Sequence, residues 1–259
     1  MTDRKTKGRL ADAQDFRPCS IPLPDLESPV SGEVHLWFLD LGDLAGSLRD
    51  ALGGDESGPS AISPVQLRFA RRFYLRLLLG AYLGLPGKSV RINRQNRGKP
   101  VLDTSVHESN LHFSMAKSED KLLIGFCTSS HIGVDLEPST RRAQDPMGVA
   151  QRYFSPGEAR ALAATAPRDL GAAFLRVWAC KEAVVKASGK GIANQFCKFT
   201  VDSDITRPAA VLDFEGEDAG SWSLAMVRPG GDFLGAVAIQ DNVTTLRAFR
   251  LLSALQSTV

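Results

Sequence analysis

The sequence predicts an α+β chain in which helices pack on mostly antiparallel strands, and three features carry that prediction. Two helix starts are spelled almost alike, Ser63-Pro64-Val65-Gln66 and Ser155-Pro156-Gly157-Glu158. Each has a serine to cap, a proline at the first helical position where an N–H is not needed, and a side chain three residues on that can bond back to the cap. A longer helical run extends from about Leu170 to Ser188 and is closed by Gly189. The tail then offers short β-like segments, "FCKFTV", "AVLDF", "WSLAMV", "FLGAVAI" and "LRAFRLL".

Composition narrows the classes of function. With 259 residues and 43% hydrophobic content the chain can fill a core of its own. A net charge of +2 is too small to announce a nucleic-acid binder, so any basic feature must be local. The four cysteines are widely spaced and form no CxxC pair or histidine cluster, which fits a reduced, cytoplasmic setting. The first residues lack the apolar core of a signal peptide, and no apolar run approaches the ~20 residues needed to cross a bilayer.

Taken in chain order, residues 1–31 are polar and proline-bearing and read as a flexible or draping lead-in. "VHLWFLDL" reads as a buried strand and "GGDESGPSA" as a loop. In the helix after Ser63, Val65, Phe69, Phe73 and Leu77 recur at helical spacing. Arg68, Arg72 and Arg76 form a neighbouring ridge with Arg71 beside it, a solvated face or a docking face for an anion. "LLIGFCTSSHIGVDLEP" reads as a hairpin about a Ser-Ser turn. In its second strand Ile132, Val134 and Leu136 point one way and Gly133, Asp135 and Glu137 the other.

That alternation places two carboxylates within about 7 Å of each other. Asp135 and Glu137 either face water or hold a divalent cation, and with no histidine or thiolate nearby the ion would be hard, such as Mg²⁺. On the long helix Trp178, Glu182 and Lys186 follow at four-residue steps and share a face. Glu182 with Lys186 is also a common surface pair, although a bulky tryptophan on the same face argues against full exposure. Lys181 projects about 100° away round the helix and can serve a different partner. Glu158 reads first as a capping residue, and Lys190 as exposed.

"IGVDLEP", then "RYFSPGE", then "WACKEAVVKASGKG" together resemble the ordered signature of the 4′-phosphopantetheinyl transferase superfamily, specifically its longer, surfactin-synthetase-type members. "RGKPVL" resembles the family's G-K-P segment. One departure is visible: where the family reads F-N-[IVL]-S-H-S, this chain has Phe113-Ser114-Met115-Ala116-Lys117-Ser118, so a lysine replaces the histidine.

The resemblance implies transfer of the phosphopantetheine arm of coenzyme A to a serine of an apo acyl or peptidyl carrier protein, with release of 3′,5′-ADP. It implies Mg²⁺ held by Asp135, Glu137 and Glu182, and Glu182 and Lys186 as catalytic groups. Arg68, Arg72, Lys99, Lys117, Lys181 and Lys186 would meet the coenzyme A phosphates. It further implies two similar α+β halves, 32–130 and 131–259, meeting at the active site after the lead-in, with the junction near Ser130. The protein would be a cytoplasmic monomer with no nucleic-acid or membrane partner. Two rivals use the same residues differently: a metal-dependent nuclease built on Asp135, Glu137 and the Lys-Glu pair, and a docking module built on the arginine ridge.

Overall fold

In the computed structural model of the protein, residues 15–45, 62–95, 98–128, 131–191, 195–230 and 232–253 are described. The loop read at 53–61, the Ser129-Ser130 turn with the expected junction, and the first 14 residues of the lead-in lie outside them.

The strand read in "VHLWFLDL" is β2 (Glu33–Asp40), and it is buried along almost its whole length because it lies mid-sheet. A five-stranded sheet runs in the order β1 (Arg17–Ser20), β12 (Thr245–Leu252), β2, β6 (Lys121–Cys127), β5 (His112–Ser118). A second sheet of three strands runs β10 (Ser223–Val227), β11 (Phe233–Ile239), β7 (Ile132–Pro138). Two small ribbons complete the β structure: β3 (Ile92–Arg94) with β4 (Pro100–Leu102), and β8 (Phe199–Asp202) with β9 (Ala210–Phe214). The helices are α1 (Pro64–Leu83), α2 (Pro146–Tyr153), α3 (Pro156–Ala163) and α4 (Pro167–Ser188). Both Ser-Pro starts form capping boxes, at Ser63 with Gln66 and at Ser155 with Glu158. The chain is α+β, as expected, with all five tail segments forming strands.

Alternation along β2 stacks the layers. Trp37 and Leu39 pack with Tyr74, Leu75, Leu78, Leu79 and Tyr82 of α1. Leu36 and Phe38, on the opposite face, pack with Ile132, Val134 and Leu136 of β7 and Val237 of β11. The far side of the three-stranded sheet, through Leu224, Met226, Ala236 and Ala238, meets α4 at Ala179, Ala183 and Ala187. The order is therefore helix, sheet, sheet, helix, each buried Leu or Phe contributing roughly 1.5–3 kcal/mol of apolar burial.

Three expectations are corrected. β6 and β7 are not a hairpin: β6 pairs with β2 and β5, while β7 pairs with β11 in the other sheet. β6 instead forms its hairpin with the preceding β5 and pairs on its other edge with the distant β2, while β7 finds its partner almost a hundred residues on, in β11. The part of the lead-in read as flexible is ordered over its described residues: β1 pairs in parallel with β12, and Ile21, Leu23 and Leu26 pack on the α1 cluster. In α1 the core is met by Leu67, Ala70 and the residues from Tyr74 to Tyr82, whereas Val65, Phe69 and Phe73 are exposed at 64%, 71% and 50%.

β12 joins the end of the chain to its beginning, running parallel to both β1 and β2. Glu33 on β2 pairs with Arg247 on β12 across this seam. The Trp37 indole N–H donates to the Tyr82 hydroxyl at 2.8 Å, and that hydroxyl lies 2.8 Å from His35 Nδ1, so these three side chains are linked beneath the seam. No described helix is long and apolar enough to cross a membrane.

Candidate active site: carboxylates between a strand and a helix

The site exists because α4 lies almost directly on β7. A Cβ at Gly133 would sit 2.0 Å from the Ala183 carbonyl oxygen and 2.4 Å from the Ala187 nitrogen, so only glycine allows this approach. On the same face of β7, Asp135 and Glu137 then point at the helix, which presents Trp178, Glu182 and Lys186 at successive turns. Trp178 is fixed by Phe174, stacked at 6.0 Å, and by the edge of Phe196 at 5.5 Å. Gly133→Ala is expected to push the helix from the strand and cut turnover by ~10²-fold or more, since misplacement by about 1 Å has that cost. Turnover within threefold of wild type would show that the contact relaxes without moving the carboxylates.

All three carboxylates are buried, at 5%, 8% and 8% exposure for Asp135, Glu137 and Glu182. Burial pushes each carboxyl above its ordinary value. The Lys186 ammonium pulls Asp135 and Glu182 back down, whereas the neighbouring carboxylates push Glu182 further up. Lys186 Nζ donates to Asp135 Oδ1 at 2.6 Å and stands 3.9 Å from Glu182 Oε2. Glu137 Oε1 accepts from the Trp178 indole N–H at 3.1 Å and from the Arg141 guanidinium.

Asp135 Oδ2 is buried and has no hydrogen-bond partner. A buried carboxylate oxygen without a donor is costly and calls for a cation, and the donors here are all hard oxygens. Among the described residues no three such side chains are already drawn round a common point, because the Lys186 ammonium stands between Asp135 and Glu182. The residues fit a hard divalent ion by donor type and by the orphaned oxygen.

A cavity of about 310 Å³ opens beside Glu182 and Lys186, lined on its other side by Gly98, Lys99, Pro100 and Ser114. Lys99 thus reaches the site, though its ammonium is held by the Ile132 carbonyl at 2.9 Å and the Lys186 carbonyl at 2.8 Å. Burial pulls its pKa down. Lys99 ties the β3–β4 ribbon to β7 and to the last turn of α4. The Ser114 hydroxyl accepts the Val134 N–H at 3.2 Å, Ala116 packs between the sheets, and Lys117 is exposed at the other end of β5.

The structure does not bring every expected residue together. Lys181 is corrected: it is 0% exposed, and its ammonium is spent on Glu158 at 2.8 Å and on the Phe196 and Phe199 carbonyls at 2.6 and 2.7 Å. It lies 4.1 Å from the centre of the Phe199 ring. A phosphate cannot reach it, because the 100° rotation from Glu182 turns it into the core. Glu158 does more than cap: it receives Lys181 and also the Val201 N–H at 2.8 Å. Arg68 and Arg72 are exposed on α1, with the five-stranded sheet between that helix and β7. Lys190 is held by Glu217 and lies over Phe214. The residue that sequence reasoning missed is Arg141, whose one signal is its place four residues after Glu137, beyond the strand's end.

An acidic strand tip thus meets a Glu-x-x-x-Lys helix across a glycine contact, in an α+β fold. The chain belongs to the 4′-phosphopantetheinyl transferase superfamily. The family model matches residues 131–238, which include all three carboxylates. The 4′-phosphopantetheinyl transferase HetI of Nostoc sp. is 31% identical over 233 residues, covering 85% of this chain and 92% of that one. The 4′-phosphopantetheinyl transferase Sfp of Bacillus subtilis is 29% identical over 156 residues, covering 55% of this chain and 66% of its own. These relatives set the chain among the longer, Sfp-type members.

Proposed function

We propose that the protein transfers the 4′-phosphopantetheine moiety of coenzyme A to a serine hydroxyl of an apo acyl or peptidyl carrier protein, releasing 3′,5′-ADP, with Mg²⁺ as cofactor. The observation that carries this reading is the meeting of Asp135 and Glu137 with Glu182 and Lys186 across Gly133, with Asp135 Oδ2 left unpartnered.

In this reading Asp135, Glu137 and Glu182 hold the ion, and when bound it neutralises the pyrophosphate. Glu182, which lines the cavity beside Lys186, takes the proton from the carrier serine. The serine oxygen forms its bond to the β-phosphorus as the bond from that phosphorus to the bridging oxygen of 3′,5′-ADP breaks. Lys186, one step from both Asp135 and Glu182, stabilises the charge that appears on the leaving phosphate. Lys99 closes the cavity behind Lys186 and sets where the pantetheine or phosphate can lie. On sequence grounds Lys117 is assigned to the nucleotide end, whereas Arg68 and Arg72, which the five-stranded sheet separates from β7, are left out of the site.

We read the chain as two halves, 32–130 and 131–259, with this cavity between them, because its lining comes from both. We place the protein in the cytoplasm as a monomer without nucleic-acid or membrane partners. The test is to incubate the protein with coenzyme A, Mg²⁺ and an apo carrier protein and to weigh the carrier. Gain of the phosphopantetheine mass is expected. An unchanged carrier together with cut DNA would favour the nuclease.

A further inference from the structure

We infer that Arg141 and Trp178 are positioning residues for Glu137, fixing one of its oxygens so that the other is presented to the metal. The inference rests on the reading of Asp135, Glu137 and Glu182 as ligands.

A carboxylate offers two oxygens and turns freely unless something holds it. In Glu137 both donors fall on the same atom: Oε1 takes the indole N–H of Trp178 at 3.1 Å and the Arg141 guanidinium. Among the described residues no donor reaches Oε2, although the side chain is only 10% exposed. Asp135 repeats the pattern, with Oδ1 held by Lys186 at 2.6 Å and Oδ2 bare. Two adjacent carboxylates thus each have one oxygen taken by a fixed cation and one left over.

The holders are themselves held. The Arg141 guanidinium carbon lies 5.5 Å from the centre of the Trp178 ring, and that ring is clamped between Phe174 and Phe196. An indole N–H can only donate, and a guanidinium is a planar fork that cannot lose its proton, so neither can release Oε1 by changing state. The side chain of Arg141 is 47% exposed, so its bond to Glu137 adds little to folding, which leaves orientation as its contribution.

The test separates orientation from charge. Trp178→Phe keeps the ring and removes the N–H; Arg141→Lys keeps the charge and removes the fork. Mg²⁺ is titrated calorimetrically into each protein saturated with coenzyme A. Both variants are expected to bind Mg²⁺ ~10-fold more weakly, the usual effect of losing a ligand's supporting partner. Their activity is expected to return toward wild type as Mg²⁺ is raised, so that the metal requirement shifts and kcat hardly does. A dissociation constant within about twofold of wild type in either variant overturns the proposal, given that ~10-fold is the lower end of such effects. Asp135→Asn is the control. If it binds Mg²⁺ as the wild type does, the metal reading itself fails; if it alone loses binding, the metal reading stands and the positioning proposal falls.

Discussion

Lys181→Met is expected to destabilise the protein by about 3–5 kcal/mol, the usual cost of removing one member of a buried ion pair. The loss leaves Glu158, which is 4% exposed, without its cation, and leaves the carbonyls of Phe196 and Phe199 without their donor. Since whole domains are stable by only about 5–15 kcal/mol, much of the molecule's margin should vanish, visible as a lower urea midpoint. Burial alone pulls the lysine's pKa down, and Glu158 acts against that pull, which is why the pair is needed intact. Adding Glu158→Gln to Lys181→Met should cost less than the sum of the two single changes, because the uncompensated charge goes with it. A Lys181→Met protein that melts like wild type but binds coenzyme A poorly would return this lysine to the cofactor.

Asp135→Ala and Glu182→Ala are each expected to lower transfer by ~10³-fold or more while leaving the fold intact. Each removes a charge from the carboxylate cluster proposed to hold Mg²⁺ and little volume from the core. The Lys186 ammonium freed in Asp135→Ala is not stranded, for its side chain is 32% exposed and Glu182 is within 3.9 Å. The measurement is holo-carrier formation by mass at limiting Mg²⁺, beside a thermal melt. Near-wild-type turnover in either variant would remove that residue from the site.

The parts of this molecule that were legible in its sequence are those with local causes. Caps at Ser63 and Ser155, the closing Gly189 in its left-handed conformation at φ 65°, and the alternation along β7 are all set by residues within a turn or a strand of one another. What was not legible depends on partners far away. Nothing near Leu122 or Ile132 says that their strands part into different sheets, and nothing near Arg17 or Thr245 says that these segments meet. The site followed the same rule. Helical phase alone turned Lys181 away from Glu182, whereas the family pattern, which records identity and not direction, assigned it to the cofactor. Arg141 escaped because a residue beyond a strand's end has no phase from which its direction can be read.

The seam formed by β12 bears on how the molecule is made. A ribosome delivers Arg17–Ser20 and Glu33–Asp40 more than two hundred residues before the strand that lies between them. Until then each presents an open backbone edge, and open edges recruit strands from other chains. Loop closure over so long a stretch is slow, so the first sheet waits for β12 until the end of synthesis. Crowded synthesis is therefore where this protein is most exposed to aggregation, and a chaperone that shields β2 would act at the right moment.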